Sequence, residues 1–267
     1  MKINFIGAGN LAEAIVYSMI KNTDTQNIGI FDNNKEQYKR YEGQNIHFAD
    51  SLSEALSGDM IFLLVKPDNF PELLRDIKDL NQNLNNKIFV SAAAGVSTEY
   101  IQNKIGQKTA IVRVMPNTPV FLGKGMTAIC RNENVNDADF DFVCGIFKSM
   151  GEIIVLREEF MNDIIAVNGS SPAYFYLFAK SMLDGAAELG FDKTEIYPVV
   201  LQSLAGSLAM LIDSGKTPDE LIRAVASPGG TTEAALKSFY SDDFTGVIKK
   251  AMKACAARAD EISANNK

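Results

Sequence analysis

Ile3-Asn4-Phe5-Ile6-Gly7-Ala8-Gly9-Asn10-Leu11-Ala12 puts an apolar run, a glycine turn and the opening of a helical pattern next to one another. The run Lys2–Ile6 reads as a strand, and apolar residues recur at helical spacing over Leu11–Lys21. Between them stands G-x-G-x-x-G/A. Gly7 permits the tight turn, Gly9 lets the backbone approach a pyrophosphate, and the small Ala12 allows close helix–strand packing. A helix that starts here aims free N–H groups and a positive dipole end at the anion. Asp32 follows 20 residues after Ala12, at the end of the second expected strand. A carboxylate there accepts a hydrogen bond from a ribose 2′-OH. The residues expected to hold a dinucleotide are therefore Gly7, Ala8, Gly9, Asn10, Leu11, Ala12 and Asp32. Asp32 would repel a 2′-phosphate and so favours NADH, whereas Asn33, Asn34 and Lys35 can supply donors and a charge for NADPH. Both cofactors stay open.

Beyond this stretch, short β-rich runs alternate with helical patterns, as in βαβ units of a parallel sheet. Strands are expected at Lys2–Ile6, Ile28–Phe31, Ile46–Phe48, Met60–Val65, Lys87–Ser91 and Ala110–Val114, then at Met126–Cys130 and Glu152–Leu156. Helices are expected at Leu11–Lys21, Lys35–Tyr41, Pro71–Leu80 and Asp137–Met150. Beyond Leu156 the period changes. Ala173–Leu189, Lys193–Ile212, Pro218–Ala226, Thr231–Phe239 and Phe244–Ala264 all read as helix. The expectation is an α/β, Rossmann-type, mostly parallel domain over residues 1–157, followed by an all-α domain over 158–267.

Composition narrows the function classes. The 267 residues are 46% hydrophobic and 22% charged, as in a well-cored globular protein. A net charge of −7, with no Lys/Arg run, argues against nucleic acid as a partner. Cys130, Cys144 and Cys255 are scattered and His47 is the sole histidine, so neither a disulfide framework nor a metal site is expected. No charged start leads into a long apolar core, which fits a cytoplasmic protein. The apolar stretch Ile196–Ile212 is broken by Pro198, Gln202, Ser203 and Ser207, and reads as too short for a membrane span. It suits a helix buried between others, or between subunits.

Three further turns follow strand ends, where open α/β sheets bind ligands: Val65-Lys66-Pro67, Ala93-Ala94-Gly95-Val96 and Met115-Pro116-Asn117-Thr118-Pro119. Their Gly and Pro residues can also be ordinary turn punctuation. In the helical half, Gly169-Ser170-Ser171-Pro172-Ala173-Tyr174 reads as a capped helix start. Ser227-Pro228-Gly229-Gly230-Thr231-Thr232 gathers amides and hydroxyls at another helix start, a suitable carboxylate cradle. Capping alone accounts for the same residue types.

Together with Arg113-Val114-Met115-Pro116-Asn117-Thr118-Pro119, these segments resemble, in order and across nearly the whole chain, pyrroline-5-carboxylate reductase. The resemblance implies reduction of Δ1-pyrroline-5-carboxylate to L-proline with NADH or NADPH. It implies that Gly7–Ala12 and Val65-Lys66-Pro67 hold the cofactor, with Ala94 and Gly95 near the nicotinamide and Asn117 in the same set of cofactor-binding turns. Ser227, Gly230, Thr231 and Thr232 would bind the imino acid, Thr232 orienting the ring nitrogen. It also implies an intertwined homodimer, able to assemble further, with the active site shared between subunits. Three positions depart from the family pattern: Arg223, where an acidic residue often stands, Glu233, where an apolar one is common, and Asp32, where small hydroxyl residues often receive the phosphate of NADPH. A β-hydroxyacid dehydrogenase would share the Rossmann half, but the second Gly and the Asn of its lysine helix are missing around Gly169 and Lys180. A non-catalytic nucleotide-binding regulator would not need the Ser227–Thr232 cradle.

Overall fold

The computed structural model describes residues 1–20, 27–106 and 108–265. Lys21, the last residue of the first expected helix, lies outside them. The opening stretch forms strand β1 (Ile3–Ile6) and helix α1 (Asn10–Ile20), followed by β2 (Ile28–Phe31), β3 (His47–Phe48), α2 (Leu52–Ala55) and β4 (Met60–Leu63). Then come α3 (Phe70–Asp79), β5 (Ile88–Ser91), α4 (Thr98–Ile105), β6 (Ala110–Pro116), β7 (Gly125–Arg131), α5 (Asp137–Lys148) and β8 (Gly151–Val155).

The strands lie in the order β3-β2-β1-β4-β5-β6-β7-β8. All neighbours are parallel except β6 and β7. The eight residues 117–124 join that pair, too few for the dozen or so that a parallel crossover needs. β1, β4 and β5 are buried along their whole length, because helices cover both faces of the sheet. Alternation along the strands sorts the side chains. Phe5, Ile28, Ile30 and Phe62 pack with Ile15, Val16, Val143 and Phe147 from α1 and α5. Ile61, Leu63, Phe89 and Ile111 pack with Leu74, Ile77, Ile101 and Ile105 from α3 and α4. The parallel register sets Phe5 beside Phe62, with stacked rings 4.7 Å apart.

Three expectations need correcting. Lys35–Tyr41 is a 3₁₀ helix, started by Asn34, whose side chain accepts the Glu36 N–H. Helix α4, capped by Ser97 and ended by Gly106 at φ +75°, was not anticipated. The apolar segment near Ile196 belongs to helix α7 (Lys193–Asp213), whose 21 residues and hydropathy of 1.5 meet the length and composition needed to cross a membrane. It is therefore not too short. The flanking turns, which a count of apolar residues leaves out, make up the length.

The chain divides into two compact units: Met1–Ser170 with Cys255–Lys267, and Ser171–Ala254. Residues 158–170 and the end of helix α10 (Phe244–Asn265) belong with the sheet, because Met161, Ile165 and Ala259 pack on Met115, Ala128 and Cys130. Asn162 Nδ2 also donates to Asp260 Oδ1 at 2.9 Å. The second unit is helical: α6 (Ser171–Glu188), α7, α8 (Pro218–Val225), α9 (Thr231–Ser241) and the start of α10. Asp192 caps α7 by accepting from the Thr194 and Glu195 amides, which hold its carboxyl below the usual range. Thr217 and Glu220 form a reciprocal capping box on α8.

Candidate dinucleotide site

β1 lies between β2 and β4, so the strand order reverses direction there. A ligand crevice is expected outside the carboxyl ends of the strands at such a point. A cleft of about 850 Å³ lies there, lined by Gly7, Gly9, Asn10 and Leu11 from the first turn, Asp32, Asn33, Asn34, Gln37 and Arg40 after β2, and Val65 and Lys66 after β4.

The glycine turn is pinned on several sides. Gly7 N–H donates to Phe31 O at 2.8 Å. Ala8 N–H donates to Asp32 Oδ2 at 2.8 Å, and Tyr41 Oη donates to Ala8 O at 3.2 Å. Burial pushes the Tyr41 hydroxyl well above the ordinary phenol range, so it stays a donor. Gly7 sits at φ +102°, and a Cβ there would stand 2.7 Å from Leu64 O. Only glycine fits. Gly9 differs, since a Cβ there would meet nothing within 4 Å. The fold itself therefore does not demand glycine here, and close approach of a ligand to this cleft-lining backbone is the use that the motif assigns to it. The first turn of α1 also leaves amides without intrahelical acceptors, so this site fits a dinucleotide pyrophosphate.

Gly9→Ala should therefore leave the melting temperature of the free protein within about 2 °C, as for an unstrained surface change. NADH affinity should fall roughly tenfold or more, because a methyl group then holds off the phosphates. Calorimetry and a thermal melt on the same sample check both halves.

The remaining expected residues fall in several places. Ala8 and Ala12 are fully buried and shape the turn rather than line the cleft. Pro67 opens a 3₁₀ turn that fixes the path after Lys66, with Asn69 N–H donating to Lys66 O at 2.9 Å. A Cβ on Gly95 (φ +72°) would strike Ile262 on α10, and Gly95 O accepts from Ser263 Oγ at 2.8 Å. Asn117 Oδ1 accepts from Met126 N–H at 2.8 Å, tying its turn to β7. Ala94 packs against the apolar cluster that includes Met115 and Ala259. His47 is half exposed and bonds Glu54 at 2.6 Å, away from the lining residues.

Sequence reasoning missed Arg40, Gln37 and one face of α3. Asn69, Glu72, Leu73 and Asp76 line the cleft at the spacing i, i+3, i+4, i+7 of a single helical face. That periodicity was a usable signal.

In the second unit, Gly230 starts α9 with no side chain capping it. Gly229 (φ +72°) makes the turn, and Gly230 N–H donates to Ser227 O at 2.9 Å. Ser227 and Thr231 are exposed, and Gly230 and Thr232 partly so. Glu233 folds back on the turn: its Oε2 accepts from Gly229 N–H at 2.7 Å, and Lys237 Nζ lies 3.5 Å from Oε1.

Comparison with known proteins adds the family. Residues 158–262 match the model for pyrroline-5-carboxylate reductase dimerisation, and residues 2–95 match that for NADP oxidoreductase, coenzyme F420-dependent. The pyrroline-5-carboxylate reductase of Escherichia coli (strain K12) is 33% identical over 98% of this chain and 98% of its own. This chain belongs to the pyrroline-5-carboxylate reductase family. The family member of Corynebacterium melassecola is 31% identical over 97% of this chain and 98% of its own length. The pyrroline carboxylate reductase of Plasmodium falciparum, solved with NADP bound, superposes with a TM-score of 0.88 at 29% identity, covering 98% of both chains. The Rossmann-type sheet and the helical half thus belong to one family fold, and the α6–α10 region coincides with the family's dimerisation domain.

Proposed function

We propose that this chain reduces Δ1-pyrroline-5-carboxylate to L-proline with NADH or NADPH, the last step of proline biosynthesis. The full-length similarity to reductases of that name, such as the Escherichia coli protein, carries the reading. The glycine cleft at the sheet's switch point supports it.

Gly7, Gly9, Asn10 and Leu11 hold the pyrophosphate, and Asp32 and Asn33 meet the adenosine ribose. Val65 and Lys66 border the cleft on the β4 side, on a path set by Pro67. Ala8 and Ala12 give the turn its shape. The turns after β5 and β6 share the carboxyl edge of the sheet with those after β1 and β4, because these strands are parallel. That order supports Ala94, Gly95 and Asn117 toward the nicotinamide end. The reduced nicotinamide supplies a hydride when bound.

The imino acid carries its own electrophile once its nitrogen is protonated, so the protein's task is to hold and orient it. Ser227, Gly230 and Thr231 receive its carboxylate at the uncapped start of α9. Thr232 donates to the ring nitrogen, orienting the substrate. Glu233 sits beside this cradle and already uses the Gly229 amide. Glu233→Gln should accordingly lower KM for the imino acid by roughly threefold or more, since a like charge near the substrate carboxylate is removed. Initial-rate kinetics at saturating NADH read this out, and an unchanged or raised KM contradicts the assignment.

The working form is a cytoplasmic homodimer or a higher homo-oligomer built on it. Val199, Leu208 and Ile212 of α7 are largely exposed in the single chain. A second copy is the cover that the match to a dimerisation domain supports. The direct test mixes purified protein with pyrroline-5-carboxylate and either nucleotide. Nicotinamide absorbance is followed and proline identified by mass. Failure to oxidise either nucleotide rejects the proposal.

A further inference from the structure

The ribose end of the cleft is built from few groups, and their hydrogen bonds decide which nucleotide it takes. Asp32 Oδ2 accepts from Ala8 N–H and Oδ1 from Asn34 N–H, both at 2.8 Å. A carboxylate offers about four acceptor sites, so two remain. A ribose diol brings two donors to match them. A 2′-phosphate brings only acceptors and further negative charge. Two backbone amides also fix the carboxylate in place, so it cannot easily swing away from an incoming phosphate.

Two cations that follow β2, Lys35 and Arg40, are already engaged. Arg40, the basic residue lining this end, has Nη1 at 2.7 Å from Glu13 Oε2, and its Nε donates to Gln37 Oε1 at 2.9 Å. Lys35 donates to Tyr38 Oη at 3.1 Å and lies over the Tyr38 and Phe31 rings at 4.8 and 5.6 Å. Across the cleft, Glu72 and Asp76 add two more carboxylates to the lining. A 2′-phosphate would have to break the Arg40–Glu13 pair while remaining close to Asp32.

We infer that Asp32 makes this chain selective for NADH over NADPH. The inference rests on the proposed nucleotide-dependent reading and refines it. Asp32 also holds the Ala8 amide, so it serves the turn and the choice of nucleotide together.

Calorimetric titration of the full chain with NADH and with NADPH, without substrate, is the test. NADH should bind at least tenfold more tightly. The ratio should narrow as salt is raised from about 20 to about 300 mM, because repulsion between partly exposed charges is screened. Asp32→Asn keeps an oxygen for the Ala8 amide, gives up the acceptor for the exposed Asn34 amide and removes the charge. It should bring the two affinities to within about threefold. Equal or tighter NADPH binding by the wild type overturns the inference, as does a ratio unmoved by both salt and Asp32→Asn. If neither nucleotide binds, the proposed function falls and this inference with it. Binding of both without discrimination overturns the inference alone.

Discussion

Thr232→Ala should lower kcat/KM for pyrroline-5-carboxylate by roughly 10- to 150-fold, while leaving the NADH dissociation constant within about twofold. The range follows from about 1.5–3 kcal/mol for a hydrogen bond to a charged group. Thr232 is the second residue of α9, partly exposed, at a helix start that no side chain caps. Its hydroxyl makes no hydrogen bond among the described residues that a substrate would have to displace. A threonine hydroxyl is too weak an acid to transfer its proton readily at neutral pH. In the proposed role it fixes the imine nitrogen, and the loss should therefore be far below what removing a general acid by itself can produce. Thr232→Ser keeps the hydroxyl and should recover activity to within a few-fold. Equal losses in kcat/KM and in NADH affinity would instead indicate a disturbed fold, and full activity in the alanine variant would remove Thr232 from the site.

The glycine turn was legible in the sequence because it is a local signal. Gly7 is read from a turn that only glycine can make, and Asp32 from its distance along one βαβ unit. The inner strands β1, β4 and β5 were legible because burial on both sides leaves short, mostly apolar runs, as in Met60–Leu63. Helix α4 escaped because its eight residues give barely two turns of periodicity, although Ser97 and Gly106 stood at its ends. The 3₁₀ form of Lys35–Tyr41 escaped for a related reason, since seven residues do not separate a period of 3.0 from one of 3.6. The spacing of Asn69, Glu72, Leu73 and Asp76 marks one face of a helix, but only the fold shows that this face meets the cleft. Spacing says nothing about partners that only the fold brings together, such as Arg40 with Glu13. Asn162 and Asp260, which join the segment after β8 to the last helix, are the extreme case.

Arg113 and Glu158 form another such pair, and the order of their mutational costs can be derived. Arg113 lies on β6 with its side chain 2% exposed. Its Nη1 is 2.7 Å from Glu158 Oε1, and Nη2 donates to Asn162 Oδ1 at 2.7 Å. Glu158 is 33% exposed, and its Oε2 accepts from Thr98 Oγ1 at 2.9 Å and from the Cys130 thiol at 3.3 Å. Burial, reinforced by the Glu158 charge, pushes that thiol far above its ordinary range, so Cys130 acts as a donor and not as a nucleophile. The guanidinium cannot shed its proton. Glu158→Ala therefore leaves a buried cation with Asn162 as its main remaining partner, and should cost about 3–5 kcal/mol. In a unit of this size that lowers Tm by roughly 6–20 °C. Arg113→Met leaves a carboxylate that water can reach, together with an apolar side chain suited to the space, and should cost less. The double variant should be more stable than Glu158→Ala alone, because the stranded charge is gone. Thermal melts at matched protein concentration, without nucleotide, rank the three. If Arg113→Met proves the more damaging single change, desolvation of the cation is not what governs this network.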